Sequence, residues 1–507
     1  MKETKGFQLT GNFWLLVFLL SLTIAPLSEE NVIAELQYKV AYATYIGGSG
    51  GEQLREVIPL PDGSVLVGGQ TNSTDLPITE GVVQPNYAGD DPALGHSGIY
   101  GGDCFLVRLS SDGQKILGAT YFGGSKQERN VYGMALDKQG NIVITSATRS
   151  PDLPTTAGCF QPEYGGGPAD WFAAKLSLDF KRLLWCTYIG GSGDDFPRGG
   201  LAVDEQDNVY VVGEAASSDF PTTPGVFQRN RKGEEDAAIV KLKPDGSALV
   251  FSTLPGGSGG EGTMGVRVDA AGDVYVAGHT QSTDFPLTVD APQSKSGGQS
   301  DCFLTKISSN GSKLIYSTYL GGTENEYAEH RLGLAPDGTV LLTGVTGSSD
   351  FPTTEGAFQR ILKGKTDGFL TKLSADGKSF SFSTLLGGSG GEFWLMPLAN
   401  VEGNIFIVGQ TESQDFPTTP NALQTTYGGG DNDGALAVFS PDGAKLLYAT
   451  YLGGSGGDLI RSLALGSNGE VYLVGSTSSE NFPVTPNAAQ TTLAGNSDAF
   501  VIKLVPE

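Results

Sequence analysis

The sequence is poor in the residue types that most often build metal centres and nucleophilic sites. Its 507 residues include only four cysteines and three histidines. The cysteines form no CxxC pair, so no zinc site is indicated. No HExxH, GxSxG, P-loop or complete EF-hand spacing is present either. We therefore expect no catalytic residues and interpret the chain as a non-enzyme without a cofactor, with calcium as the one candidate ion.

Positive charge is also scarce. Lysine and arginine number 32 against 56 aspartates and glutamates, for a formal net charge of −24. Nucleic-acid phosphates need a basic surface, so the composition argues against a nucleic-acid partner. The same balance argues against binding to anionic lipid surfaces and favours attraction of cations.

A long hydrophobic run occurs near the N-terminus. Lys2 and Lys5 precede the apolar stretch FWLLVFLLSLTIAPL at residues 13–27. This order of charged then apolar residues predicts a secretory signal peptide over residues 1–34, with cleavage after Ala34. An uncleaved N-terminal anchor is the alternative, although the run is short for a membrane span of about 20 residues. We expect export to the cell surface or medium, or to the periplasm, with no membrane span in the mature chain.

Glycine, by contrast, is abundant, and it marks a repeat. Among the 74 glycines, seven Gly-Gly pairs stand in the same sequence context and recur at intervals of 76, 67, 66, 65, 66 and 66 residues. A stretch resembling DFPTTPGVFQ and an apolar run that begins with aspartate follow each pair. The glycine pairs are Gly47-Gly48, Gly123-Gly124, Gly190-Gly191, Gly256-Gly257, Gly321-Gly322, Gly387-Gly388 and Gly453-Gly454.

Each repeat predicts four short strands. Residues 462–477 and 367–388 read as β-hairpins, because alternating apolar runs rich in β-branched and aromatic residues flank short polar turns. Four-stranded units repeated about an axis are typical of a propeller. We predict an all-β fold, a single seven-bladed β-propeller over residues 35–507. The N-terminal strand should pair with the C-terminal strand in the last blade and close the ring.

The repeated motifs resemble the bacterial SBBP beta-propeller repeat family. YSTYLGG, the VYVVG strand, SDFPTTPG and DAFVIKL carry the resemblance, which recurs in all seven units over roughly residues 38–507. It implies the propeller fold and an exported protein, and it implies no catalytic residue.

An acidic residue always stands four positions after the second glycine of each pair. A ring of hard oxygen ligands at the mouth of the central channel could bind calcium. The alternative is that each carboxylate accepts hydrogen bonds from the backbone of its own glycine loop. These seven ring carboxylates are Glu52, Glu128, Asp195, Glu261, Glu326, Glu392 and Asp458.

Positions that differ between the repeats are the better candidates for a specific binding site. Aromatic and arginine residues on the loop-rich face of the ring would be good anchors for a partner. Phe393 and Trp394 could instead fill the central channel. The candidates are Arg55, Arg129, Phe196, Arg198, Tyr327, His330, Phe393, Trp394 and Arg461.

The sequence as a whole predicts a monomeric, exported interaction scaffold for a protein or glycan at the cell surface. Two alternatives remain open. One is a hydrolase or lyase that acts on polysaccharide through carboxylates of the loop-rich face. The other is a structural module of the cell envelope with bound calcium. Fold alone cannot choose among them.

Overall fold

The seven repeats fold into seven antiparallel sheets of four strands each, with one inner strand split in two. The computed structural model describes residues 36–89, 101–328, 331–335 and 337–507. Within these ranges every regular element is a β-strand. The predicted all-β, seven-bladed propeller is confirmed.

The strands are short and follow the repeat closely. The chain begins with β1 (Tyr38–Ile46). Blade 1 contains β2 (Glu52–Pro59), β3 (Val65–Thr71), β4 (Asp103–Leu109) and β5 (Ile116–Phe122). Blade 2 contains β6 (Gly133–Leu136), β7 (Ile142–Thr148), β8 (Asp170–Leu176) and β9 (Leu183–Ile189). Blade 3 contains β10 (Asp195–Val203), β11 (Val209–Ala215), β12 (Asp236–Leu242) and β13 (Leu249–Thr253).

The remaining blades repeat this pattern. Blade 4 contains β14 (Glu261–Val268), β15 (Val274–Thr280), β16 (Asp301–Ile307) and β17 (Leu314–Leu320). Blade 5 contains β18 (Glu326–Ala328), β19 (Gly333–Leu334), β20 (Val340–Thr346), β21 (Asp367–Leu373) and β22 (Phe380–Leu386). Blade 6 contains β23 (Glu392–Ala399), β24 (Ile405–Thr411), β25 (Asp433–Phe439) and β26 (Leu446–Leu452). Blade 7 contains β27 (Asp458–Leu465), β28 (Val471–Thr477) and β29 (Asp498–Pro506).

Ring closure joins the two ends of the described chain. Blade 7 has the strand order β1-β29-β28-β27, so its fourth strand comes from the N-terminal side. β1 and β29 pair antiparallel, with Thr44 opposite Val501 and Tyr45 opposite Phe500. This pairing covers sheet edges that would otherwise be open to other chains. The predicted closure is confirmed.

The hydrophobic core lies between the blades. Seven large clusters of buried side chains each join two neighbouring blades. One cluster packs Tyr42 and Val501 of blade 7 against Val57 and Phe105 of blade 1. Each blade therefore depends on both of its neighbours for burial of its apolar faces, because a single sheet cannot bury them alone.

Two kinds of connection meet on one face of the ring. The first is the glycine crossing, which leads from the outer strand of one blade to the inner strand of the next. The second is the long link that contains the DFPTTP motif. In the first crossing, Ser49 N–H donates to Asp75 Oδ1 of the link at 2.8 Å, and Gly50 N–H donates to Ser73 Oγ at 2.8 Å. We call this side of the ring the crossing face.

A glutamine fastens the long link of blade 1 to its surroundings. Gln84 donates from Nε2 to Asp103 Oδ2 at 2.9 Å, and its Oε1 accepts from Gly123 N–H at 2.8 Å. One side chain thus holds the link, a strand and the next crossing together, so the backbone of a long connection stays satisfied.

The predicted N-terminal segment lies outside the described residues. Leu36–Glu507 forms one compact unit. In the described ranges no helix has the length and apolarity needed to cross a bilayer.

The closing strand should be essential for stability. Tyr45 is buried in β1, and its hydroxyl donates to Ser479 O at 2.7 Å. We expect Tyr45→Ala to lower the free energy of unfolding by about 3–5 kcal/mol, because it leaves a cavity in the core. Chemical denaturation measures the loss.

Leu117→Ala is the control for this substitution. Leu117 is half-exposed on the outer strand of blade 1, and its truncation should change the free energy of unfolding by less than about 0.5 kcal/mol. Equal effects of the two substitutions would show that β1 does not contribute to a closed ring.

Candidate functional site

The seven ring carboxylates lie beneath the glycine crossings rather than in the open channel. Six of them begin the inner strand of a blade, and Glu128 forms an isolated bridge with Thr148 at the same place in blade 2. All seven are at most 1% exposed to solvent. A partner at the mouth of the channel would therefore not contact them directly.

Each ring carboxylate accepts hydrogen bonds from its own surroundings. Gly48 N–H donates to Glu52 Oε2 at 3.0 Å, Thr71 Oγ1–H donates to Oε1 at 2.6 Å, and the Ser73 hydroxyl also donates to Oε1. The bond from the second glycine recurs in every blade at 2.7–3.0 Å. The sequence allows two interpretations of these carboxylates, a calcium site or acceptors for the backbone of their own glycine loops. The observed hydrogen bonds are those of the second interpretation.

Blade 3 keeps the buried carboxylate with a partly different set of donors. Asp195 is one methylene shorter than glutamate and faces Ala215, which has no hydroxyl. Its carboxylate instead accepts from the backbone N–H groups of Ala216 and Ser217 at 3.0 and 3.1 Å, and from the Ser217 hydroxyl at 2.6 Å. Donors still surround the charge, as burial requires.

A second carboxyl group approaches each ring carboxylate from the preceding blade. A Cβ placed on Gly123 would lie 2.2 Å from Glu128 Oε2 and 2.8 Å from Asp103 Oδ1, so only glycine fits between them. In the sequence these aspartates stand out only as the first residues of apolar runs, and that pattern does not predict their position beside the ring carboxylates. They are Asp103, Asp170, Asp236, Asp301, Asp367, Asp433 and Asp498.

Burial and the neighbouring carboxylate change the titration of these pairs. Burial, together with the charge of Asp103, raises the pKa of Glu128 to about 8. Burial raises the pKa of Asp170 to about 7 and that of Asp433 to about 6. Among the described residues, the Oδ1 atoms of Asp170 and Asp433 are buried without a hydrogen-bond partner. Both observations favour a bound proton in some of the pairs at neutral pH.

Stability should therefore fall as the pH rises through neutrality. A carboxyl group with a raised folded-state pKa holds its proton longer in the folded than in the unfolded chain. Its contribution is complete below about pH 4 and is lost as the pH approaches 8. We expect a higher melting temperature at about pH 5 than at about pH 8.5, measured by scanning calorimetry.

Glu128→Gln should reduce this pH dependence, because it removes a carboxyl group whose pKa burial raises to about 8. Glu163→Gln removes the same charge from an exposed position of the same blade and should keep the wild-type dependence. A melting temperature that increases from pH 5 to pH 8.5 in the wild type would contradict the interpretation.

The predicted binding residues of the first three blades come together as pairs of arginine and aromatic side chains. The Arg55 guanidinium lies 4.7 Å from the centre of the Tyr132 ring. Arg129 and Arg198 lie 5.2 and 5.5 Å from the centre of the Phe196 ring. These cation–π contacts hold the rings and restrict access to them.

The other predicted residues are more dispersed. Tyr327 is 38% exposed and meets His279 edge to face at 5.2 Å. Phe393 and Arg461 are half-buried, and His330 lies outside the described residues. The prediction that Trp394 is an exposed anchor is wrong. Its side chain is fully buried between blades 5 and 6, and its Nε1–H donates to Leu386 O at 3.0 Å.

A cavity of about 610 Å³ opens on the crossing face between blades 3 and 4. Two predicted residues, Phe196 and Arg198, form part of its wall. Carboxylates of both blades and a histidine complete it. The full lining is Asp194, Phe196, Arg198, Glu214, Glu234, Glu235, Ser258, Gly259, Gly260, Glu261, Gly262, His279 and Gln281.

The cavity coincides with a missing side chain. The residue after the ring carboxylate is glycine only in blade 4, where it is Gly262. A Cβ there would lie 2.5 Å from the imidazole of His279, so the histidine occupies part of the vacant space. The equivalents in the other blades are Gln53, Arg129, Phe196, Tyr327, Phe393 and Leu459. Gly262 is thus the one signal in the sequence that distinguishes this junction.

The described residues contain no group of three or more histidine, cysteine, aspartate or glutamate side chains placed to hold a metal ion. In the cavity, Glu261 is directed at its own glycine crossing, and Glu214 faces Arg198, with 4.0 Å between Oε2 and Nε. Calcium binding by the ring carboxylates stays a prediction.

Comparison with protein families confirms the resemblance drawn from the repeats. The SBBP model, described as a beta-propeller repeat, matches residues 184–221 and 447–483. Each match runs from an outer strand through a glycine crossing into the next blade. A search of curated proteins finds no match.

Solved structures whose backbone can be superimposed on this chain have low sequence identity to it. A protein of unknown function from Dyadobacter fermentans is 11% identical, with a TM-score of 0.40, over 93% of this chain and 100% of that one. BamB from Moraxella catarrhalis is 11% identical, with a TM-score of 0.39, over 92% and 100%. A quinohemoprotein alcohol dehydrogenase from Comamonas testosteroni is 10% identical, with a TM-score of 0.44, over 92% and 76%.

Proposed function

We propose that the protein is an exported, non-enzymatic scaffold that binds a protein or glycan partner at the cell surface through its crossing face. The observation that carries this proposal is the cavity between blades 3 and 4. A repetitive ring offers the same surface seven times, and a specific partner needs a place where the surface differs. The cavity supplies such a place, with an aromatic ring and an arginine in its wall.

The enzymatic alternative has less support. A hydrolase or lyase would need an accessible pair of titrating groups in one pocket. Burial raises the pKa of Glu261 to about 7, but both carboxylate oxygens of Glu261 accept hydrogen bonds, and the equivalent residues in the other blades are likewise buried among hydrogen-bond donors. A property shared by all blades is better explained by the fold than by catalysis at one of them.

A calcium-bound structural module also has less support. Calcium needs several oxygen atoms whose lone pairs point to the ion. The ring carboxylates instead receive N–H and O–H groups, so a bound cation would have to displace these hydrogen bonds. A structural role without a partner would leave the cavity between blades 3 and 4 unexplained.

A blocked cavity tests the proposal. Gln281 is exposed at the cavity, and Gln281→Trp should obstruct the opening without removing a side-chain hydrogen bond among the described residues. Partners would first be identified with a glycan array and with surface proteins of the producing cells. We expect Gln281→Trp to weaken binding of the partner at least about tenfold, or about 1.4 kcal/mol, in calorimetry.

Gly347→Trp places the same bulky side chain at the equivalent position of blade 5, where a Cβ meets no close contact. This variant should bind like the wild type. Equal binding by both variants would place the partner elsewhere on the surface, and the absence of any partner in both screens would contradict the scaffold proposal.

A further inference from the structure

We propose that the central channel of the ring binds an oxyanion, the chemical group shared by carboxylates, phosphates and sulfates, beside Arg267 and Arg331. Neither arginine lines the cavity between blades 3 and 4, so this site is separate from the one proposed for a partner. Support comes from the distribution of arginine in the chain, from an ion pair across the channel and from a guanidinium group that has no ion pair of its own.

Arginine is concentrated around the channel of an otherwise acidic protein. The innermost segment of each blade runs from the ring carboxylate to the end of the inner strand. These segments contain no lysine but hold six of the 12 arginines. Apart from the buried ring carboxylates, Glu56 is the one acidic side chain of these segments among the described residues. Such a local excess of positive charge attracts anions, although the whole chain has a net charge of −24. The six arginines are Arg55, Arg129, Arg198, Arg267, Arg331 and Arg461.

An ion pair across the channel shows where some of these charges meet. The guanidinium of Arg331 in blade 5 pairs with the carboxylate of Glu56 on β2 of blade 1. Blades 1 and 5 are not neighbours in the ring, so their side chains can meet only across the channel. The side chain of Arg331 is 18% exposed and that of Glu56 is 4% exposed. The part of this pair that solvent reaches is therefore mainly the cation.

A second guanidinium group lies beside this pair. A Cβ on Gly265 would lie 2.5 Å from the backbone nitrogen of Leu332 and 2.8 Å from the Cα of Arg331, so blade 5 packs directly against β14 at this point. Arg267 follows Gly265 by two positions on β14, and side chains two positions apart on a strand point to the same side. Arg267 is therefore directed toward Arg331.

Arg267 has no ion pair among the described residues. Its side-chain hydrogen bond there runs from Nη1–H to the backbone oxygen of its own neighbour Val266, at 2.9 Å. Burial, and then the charge of Arg331, lowers the pKa of Arg267 to about 9, so its charge lies in unfavourable surroundings. Two guanidinium groups thus share the carboxylate of Glu56, and an uncompensated charge in such a place is costly. An oxyanion would balance it and accept paired hydrogen bonds from a planar guanidinium.

The backbone of Arg331 adopts a conformation that suits glycine better than arginine. Its φ is 138°, a value that residues with a side chain rarely adopt. At the same position of blade 3, five residues after the ring carboxylate, stands Gly200 with a φ of 81°. Glycine adopts such values at no steric cost, so it would suit blade 5 as well. Strain of this kind persists where the side chain has a function, which here is to place a guanidinium group in the channel.

Titration with two simple anions tests the inference. The probes are inorganic phosphate and acetate, each added to the purified protein at an ionic strength held constant with sodium chloride. We expect at least one of them to bind at one site per chain in calorimetry, and to raise the melting temperature more than sodium chloride of equal ionic strength does. Binding of phosphate alone would identify a site for phosphate groups, and binding of acetate a site for carboxylates.

Two variants connect this binding to the channel. Arg267→Gln removes the guanidinium group that has no ion pair and should weaken binding of the anion at least about tenfold. Arg331→Gly should also weaken it at least about tenfold, and the fold should be kept because glycine suits the positive φ. Arg360→Gln removes the same charge from an exposed position in the long link of blade 5 and should bind like the wild type. If Arg267→Gln fails to fold, as judged by its melting temperature, Arg331→Gly decides the test.

Three results would overturn the inference. The first is the absence of saturable binding of both anions to the wild type. The second is wild-type affinity for the anion in the folded variants Arg267→Gln and Arg331→Gly, because the anion would then bind elsewhere. The third is loss of anion binding in Gln281→Trp, which would place the anion in the cavity between blades 3 and 4. None of these results decides whether a partner binds at that cavity, so the scaffold proposal is tested separately.

Discussion

Each buried carboxyl group beneath a glycine crossing holds one blade of the ring to the next. It receives the N–H group of the crossing and hydroxyl groups from the second strand of its own blade, while an aspartate of the preceding blade lies beside it. The same device closes the ring. At the junction between blades 7 and 1, Glu52 and Gly47 come from the N-terminal side, and Asp498 and Gln490 come from the C-terminal side.

This device also separates structure from function. Because the ring carboxylates and their donors are nearly identical in all blades, they leave little freedom for a specific site. The residue type can vary at the position that follows each ring carboxylate, because the hydrogen bonds of the crossing do not involve that side chain. Blade 4 has glycine there, and the space beside it becomes the cavity in which acidic groups, Arg198 and His279 face a common volume. A local difference in a regular ring is enough to give one junction its own chemistry.

The sequence predicted much of the fold because short local patterns mark the strands and turns of each repeat. Glycine pairs, turn residues and alternating apolar runs located the strands, and the unmatched strands at the two ends predicted that the N-terminal strand pairs with the C-terminal strand. The sequence was less informative where blades meet. Tryptophan is a residue type that often anchors a binding surface, yet the neighbouring blade covers Trp394. Gly368 of that blade has no side chain and leaves space for the indole ring. The role of Asp103 and its equivalents likewise depends on distances between blades, which no local pattern contains.

The most direct test of this account is hydrogen exchange at one crossing. In the wild type, the amide of Gly388, which donates to Glu392 at 2.9 Å, should exchange slowly, although it lies in a glycine-rich loop near the surface. In Glu392→Ala, exchange in residues 387–391 should become much faster, while the six other crossings stay protected. Rapid exchange of this segment in the wild type, or unchanged exchange in the variant, would contradict the claim that the carboxyl group holds the crossing.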